Sequence, residues 1–247
     1  MRALILSDIH SNIEALDAVL ADAQDAEYAT SICLGDIVGY GASPADVIAR
    51  IHAMAPQWII RGNHDRVCAG LSHAATFSPN ARTAIEWTRA QLTSAELTWL
   101  AQLPTGPMVI DDTTLVCHGA PQDEDFYLLD SADARLAFTA QTSPLCLHGH
   151  THVQTVFRLR GHAVYDETPS RRPRWSVPLD AGSRYLINPG SVGQPRDGDP
   201  RAGYAILDTD ARVIELRRVA YDITSAQRRI INAGLPETLA RRLSSGD

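Results

Sequence analysis

Five short motifs carry residues that could do chemistry: Asp8-x-His10, Gly35-Asp36, Gly62-Asn63-His64-Asp65, His118-Gly119 and Gly149-His150-Thr151-His152. Together they supply every ligand type a two-metal hydrolase needs. A set of carboxylate, imidazole and amide ligands suits borderline divalent ions such as Mn, Fe, Zn, Co or Ni better than Ca, which takes all-oxygen sites. Asp8 and His10 lie two apart, so on extended backbone both point the same way and can reach one ion. Taken alone, that pair also fits a loop followed by a helix cap. Asp36 can place one oxygen on each of two ions. Asn63 offers a neutral carbonyl oxygen, and His64 an imidazole free to act as an acid or a phosphate donor. A Gly-Asn turn with a solvated histidine is the bland alternative for that block. His150 and His152 need a kinked loop to reach different ions, and Gly149 permits one at little steric cost.

Strands must position these groups. Apolar runs of strand length precede each motif: Arg2 to Ser7, Thr30 to Leu34, Trp58 to Arg61, Thr114 to Cys117 and Leu145 to Leu147. In an open, largely parallel sheet such strand ends lie side by side at one edge, where loops converge on a ligand. Six of the nine histidines, at positions 10, 64, 118, 148, 150 and 152, directly follow predicted strands. His52, His73 and His162 lack that context and read as surface or packing residues. His148 reads as a support for the ligands or a packed core histidine rather than a ligand. Cys33, Cys68, Cys117 and Cys146 show no C-x-x-C spacing, and three of them sit in apolar strands, where small buried thiols are common.

In this order the motifs resemble those of the calcineurin-like metallophosphoesterase superfamily. Asp8-Ile9-His10-Ser11-Asn12 and Asn188-Pro189-Gly190-Ser191-Val192-Gly193 are similar to its small prokaryotic phosphodiesterase-like branch, over roughly Met1 to Val219. The resemblance implies an α/β fold of four layers, two packed mixed β-sheets flanked by helices. It implies one ion held by Asp8, His10 and His152, another by Asn63, His118 and His150, and Asp36 bridging both. Two divalent transition-metal ions are expected as cofactors, manganese favoured and Fe, Zn, Ni or Co possible. His64 would be the catalytic histidine that binds no metal. The implied reaction is in-line attack at phosphorus by a metal-bound hydroxide, without a covalent enzyme intermediate.

The serine/threonine phosphatases of the superfamily read G-D-x-V-D-R-G at the second motif, whereas this chain reads Gly35-Asp36-Ile37-Val38-Gly39-Tyr40-Gly41. The Asp that orients the catalytic histidine and the Arg that holds phosphate are absent at those positions. A monoester dianion loses its clamp, and a diester monoanion has less need of one, which favours a phosphodiesterase, or an enzyme with a small or nucleotide-like substrate, over a phosphoprotein phosphatase. Arg66, Arg158, Arg160 or Arg196 can supply positive charge from another loop. Tyr40 lines the leaving-group side or stacks on a base, or else is an exposed loop tyrosine; Arg196 is a candidate phosphate contact, and Asn188 and Ser191 are candidates to support the ligands. The alternatives are a phosphomonoesterase acting on proteins or nucleotides, and a metal-binding scaffold without turnover.

Helices are expected over Ile13 to Gln24, capped by Ser11 or Asn12; over Pro44 to Met54, capped by Ser43; twice within Asn80 to Leu103, the second opening near Ser94; and near Ala132 to Thr139. Asp123, Glu124 and Asp125 read as solvated charges. After His152 come successive strands that suit a second sheet of their own, and Ser225 to Leu243 reads as a helical tail whose arginines form a surface face. One domain over residues 1–247, its helical tail starting near 221, is ordinary for 247 residues. A formal charge of -7 argues against general affinity for nucleic-acid backbone. No signal segment or apolar span near 20 residues is visible and the cysteines form no secreted framework, so cytoplasm is the expectation, with no membrane partner. Oligomeric state is left open.

Overall fold

The computed structural model describes all 247 residues. In chain order its first half holds β1 (Arg2–Leu6), α1 (Ile13–Asp22), β2 (Thr30–Cys33), α2 (Pro44–Met54), β3 (Trp58–Ile59), α3 (Asn63–Cys68), α4 (Pro79–Gln91) and α5 (Ser94–Gln102). Then come β4 (Met108–Val109), β5 (Thr114–Val116), α6 (Ser131–Ala140), β6 (Leu145–Leu147), β7 (Gln154–Arg160), β8 (Ala163–Asp166) and β9 (Arg174–Pro178). The chain continues through β10 (Ser183–Pro189), β11 (Ala202–Asp208), β12 (Val213–Val219), α7 (Ile223–Asn232) and α8 (Glu237–Ser245).

Two six-stranded mixed sheets result, in the orders β3-β2-β1-β11-β12-β9 and β4-β5-β6-β10-β7-β8. Each contains a parallel triplet, β1, β2 and β3 in one and β5, β6 and β10 in the other. The strands after His152 therefore do not form a sheet of their own: β9, β11 and β12 extend the first sheet and β7, β8 and β10 the second. Only one edge of β1 is covered by β2, and β11 satisfies the other, antiparallel, with Leu4 opposite Ile206. Alternation in sequence identifies a strand but not its partner.

The alternation sorts side chains into layers. Along β1, Leu4 and Leu6 join a core with α1 and α2, whereas Ala3 and Ile5 join the core between the sheets. Along β10, Tyr185 and Ile187 face the first sheet and Leu186 faces the core that includes Phe138 of α6. The layers thus run helices, sheet, sheet, helix. Asn12 caps α1, its side chain accepting from the Ala15 N–H at 3.1 Å. Ser43 precedes α2 but makes no capping bond, Pro44 having already fixed the first turn. Thr93, not Ser94, caps α5, because Glu96 three residues on returns the bond to the Thr93 N–H at 2.7 Å. The C-terminal helices are packed, not trailing: Ile230, Leu239 and Leu243 are buried with Tyr40, Ala81 and Ala84. No helix is long and apolar enough to cross a membrane.

Leu147 is fully buried between the sheets at the end of β6, just before the histidine loop. Leu147→Ala is expected to cost about 2–5 kcal/mol, read as a lower urea midpoint at unchanged slope; a loss well under 1 kcal/mol (order of magnitude) would mean the sheets close over the gap.

Candidate metal centre

Asp8, Asp36, Asn63, His118 and His150 follow the carboxyl ends of β1, β2, β3, β5 and β6. Parallel pairing aligns those ends within each sheet, and the packed sheets bring the two rows together. Main-chain bonds then stitch loop to loop: Asp8 N–H to Gly35 O (3.0 Å), His10 N–H to Asp36 O (3.0 Å), Gly149 N–H to His118 O (2.8 Å) and Gly193 N–H to Asp8 O (2.9 Å). Ser191 Oγ donates to Asp8 O at 2.7 Å, and Asn188 Nδ2 donates to Gly149 O at 2.7 Å, so both support the ligand loops. Asp8, His10, Asp36, His150 and His152 all have φ between +49° and +67°. A non-glycine residue pays of order 1–3 kcal/mol for such backbone and holds it only where its surroundings over-determine it. The kink expected at Gly149 falls instead on His150 and His152; Gly149 is needed because a Cβ there would overlap Ser7 Oγ.

Asp8, His10, Asp36 and His152 gather ligand atoms within 4.8 Å of one another, and so do Asp36, His118 and His150. Asn63 Oδ1 lies 3.3 Å from His118 Nε2, beside the second group. All these side chains are buried. Four histidines each give one ring N–H to a main-chain carbonyl: His10 Nδ1 to Val38 (3.0 Å), His118 Nδ1 to Leu34 (2.8 Å), His152 Nδ1 to Gln194 (2.6 Å) and His150 Nε2 to Asp125 (3.1 Å). A carbonyl only accepts, so the proton is fixed on that nitrogen and the other is left to bind a cation. His10 Nε2 and His152 Nε2 stand 3.0 Å apart, an arrangement of two lone pairs that calls for a positive charge between them.

Asp36 departs from the expected bidentate bridge. Its Oδ1 accepts the His64 main-chain N–H at 2.9 Å, whereas Oδ2 lies 3.4 Å from both His10 Nε2 and His118 Nε2. One oxygen therefore faces both groups. Burial works to raise the Asp36 pKa, but His118, His64 and His10 outweigh it and hold the carboxyl well below its usual range. Burial raises Asp8 to about 6 against the pull of His118. Burial opposes protonation of His118, yet Asp36 and Asp8 lift it to about 10. The two carboxylates thus demand positive charge among the imidazoles, and a donor set of this kind fits divalent metal ions.

His64 belongs to neither group. It sits in the first turn of α3, its ring against Tyr40 (4.5 Å), Phe77 (4.6 Å) and His10 (4.8 Å), with Nδ1 buried and unbonded. Gly39 makes the room, since a Cβ there would overlap His64 Nδ1. Burial lowers the His64 pKa to about 4. Tyr40 is a buried wall, not an exposed loop residue, and its hydroxyl accepts from Arg196 Nη2 at 3.2 Å. Asn63, His64, Tyr40, Arg196 and His150 line one open cavity of about 500 Å³. Phe77, Tyr127 and Arg242 also line it and went unnoticed in sequence, lying in segments without periodicity or, for Arg242, on what read as a surface face. Arg66 pairs with Glu124 and with Asp125 (2.6 Å), so those acids are not simply solvated, and Arg158 pairs with Glu167 (2.5 Å). His52, His73 and His162 are exposed, while His148 is fully buried outside both groups. All four cysteines are buried and free.

Asp65 is part of the third motif, but the sequence alone gives it no role. Its Oδ1 accepts from Ile37 N–H (2.9 Å) and Val38 N–H (3.1 Å), and its Oδ2 from Gly62 N–H (3.0 Å), tying the second motif to the third. Burial, with Asp36 nearby, raises it to about 7 against those three donors.

Residues 1–212 match the calcineurin-like phosphoesterase superfamily domain, and the chain belongs to that superfamily, known for metal-dependent phosphoester hydrolysis. It is 40% identical to a metallophosphoesterase from Sphaerobacter thermophilus, covering 100% of both chains at a TM-score of 0.87. An uncharacterised protein of Methanocaldococcus jannaschii is 36% identical over 250 residues, 98% of this chain and 97% of that one. A hypothetical protein from Pyrococcus horikoshii shares the fold, with a TM-score of 0.79 at 20% identity over 100% of this chain and 98% of the other.

Asp65→Asn must turn its amide hydrogens toward one set of N–H donors. It is expected to destabilise by about 1–3 kcal/mol, read from urea unfolding. An unchanged midpoint would show that the carboxylate does not hold the two motifs together.

Proposed function

We propose that the protein is a binuclear, manganese-favouring phosphodiesterase acting on a small, nucleotide-like ester. The observation that carries this reading is the pair of ligand groups meeting at Asp36 Oδ2, with unligated His64 beside them on the cavity wall. Asp8, His10 and His152 would hold one ion, Asn63, His118 and His150 the other, and Asp36 both. Two such ions supply a water activated for in-line attack and neutralise charge developing on the phosphate oxygens.

The rest is done by the chain. His64, lowered to about 4, is neutral at neutral pH, so it serves the leaving oxygen as a hydrogen-bond donor and not as a standing imidazolium. With Nδ1 buried, Nε2 is the nitrogen that meets substrate. The rings of Tyr40 and Phe77 hold the imidazole where the protein phosphatases use a carboxylate. The cavity of about 500 Å³ gives room for a second ester substituent, which favours a diester. Arg196 favours a second reading, monoester hydrolysis, because it brings to the cavity a guanidinium that the second motif lacks.

Metal-free protein reloaded with Mn, Ni, Fe, Zn or Mg is expected to cleave bis(p-nitrophenyl) phosphate faster than p-nitrophenyl phosphate. The reverse preference would select the monoesterase reading, and no turnover with two ions bound would select a scaffold. His64→Ala is expected to keep its metal content while turnover falls roughly 10²–10⁴-fold; full activity in that variant removes the role given to His64. Asp36→Asn is expected to lose both ions by elemental analysis, and two retained ions would break the bridging assignment.

A further inference from the structure

The wall of the cavity carries more positive charge than one phosphate on two metal ions requires. Arg196 and Arg242 both line it. Arg196 Nη2 donates to Tyr40 OH and Gln194 Oε1, each at 3.2 Å, and its Nε is buried without a partner. Arg242, from α8, donates through Nε to the main-chain oxygen of Asp247 at 2.6 Å. The one carboxylate side chain on the wall, Asp125, is already paired with Arg66 at 2.6 Å. Two guanidinium groups thus share a concave surface whose lining offers no unpaired acidic side chain, the carboxyl group of Asp247 that partners Arg242 lying outside that lining.

Their placement differs. Arg196 lies over the Tyr40 ring, 5.6 Å from its centroid, and that ring touches His10 at 4.7 Å and His64 at 4.5 Å. Arg242 is pushed down by burial and then by Arg196, with Tyr40, Asp247 and Tyr127 as its other charged or ionisable neighbours. Arg242 is itself half-buried and shares the cavity wall with the exposed Tyr127. Like charges held together in a partly desolvated concavity repel, and an anion between them relieves the repulsion. Planar guanidinium groups match phosphate oxygens in particular.

We infer that Arg242 and Arg196 form a second anion subsite at the cavity mouth, and that the substrate carries a second phosphoryl group beyond the one under attack. This deepens the phosphoesterase reading and rests on it for the position of the first phosphoryl group. The C-terminal helix then has a part in selectivity: α8 delivers Arg242, and its last turn is tied to the Arg196 loop by the bond from Gly198 N–H to Gly246 O at 2.8 Å.

The test is calorimetric binding of inorganic phosphate and inorganic pyrophosphate, which differ by one phosphoryl group, to the full chain loaded with manganese and kept in manganese excess. Wild type is expected to bind pyrophosphate at least about tenfold more tightly than phosphate, Arg242→Gln to bring that ratio near one, and Arg242→Lys to keep most of it. Arg242→Met, which keeps the apolar stem without the charge, replaces Arg242→Gln if the latter melts early. Manganese drawn off by pyrophosphate affects every variant alike, so the change in ratio is the readout. A ratio unmoved by Arg242→Gln overturns the subsite, and so does equal weakening of both anions, which would place both arginines on one phosphate. Binding is read without turnover, so these failures are distinct from failure of the phosphoesterase reading, which would show as absent hydrolysis by the metal-loaded wild type.

Discussion

Two carboxylates and four imidazole nitrogens are buried facing one another, and the rest of the structure is organised to keep them there. Burying one unpaired charge costs several kcal/mol (order of magnitude), and like-signed lone pairs repel as well. Left to itself the constellation would open. What opposes this is the apolar core on both sides of each sheet, which begins at the residues next to the ligands: Leu6 is fully buried two residues before Asp8, and Leu147 three residues before His150. The positive φ values at five of these residues are a further cost borne by the same packing.

Orientation comes from main chain more than from other side chains. The Leu34 carbonyl, in the loop that carries Asp36, fixes His118 on the opposite sheet, and the Val38 carbonyl fixes His10. Gln194 and Asp125, in loops with no ligand of their own, do the same for His152 and His150. Two of the motifs are therefore held by the loop of a third and the last by loops outside the series, so each ring depends on the main chain of another loop.

That dependence also sets what the sequence could show. Apolar runs ending in polar groups exposed the strand ends, and residue types exposed the ligand series, because both are local. Partnering is not local: nothing in Val213 to Val219 states that it joins the sheet of β1 and not that of β10. Nor does Asp36 announce that one of its oxygens is taken by the His64 N–H. Phe77, Tyr127 and Arg242 reach the cavity from an irregular loop, another loop and a distant helix, and only tertiary packing brings them together. Arginines on an amphipathic C-terminal helix are ordinarily solvated, and one of them becomes a cavity residue because Leu239 and Leu243 bury the other side of α8 against Tyr40 and Ala81.

The distribution of charge completes the picture. A chain with a formal charge of -7 repels a phosphate ester at long range. Screening confines that repulsion to about 8 Å at physiological ionic strength, so it slows approach without forbidding it. Capture then depends on charge concentrated where water is partly excluded, which is where Arg196 and the buried ligand groups lie. A field so local favours compact anions that enter the cavity over extended polyanions that must lie along the negative surface. For the proposed activity, the acidic exterior and the arginines of the cavity would then act together, and what matters is where the arginines sit more than how many there are.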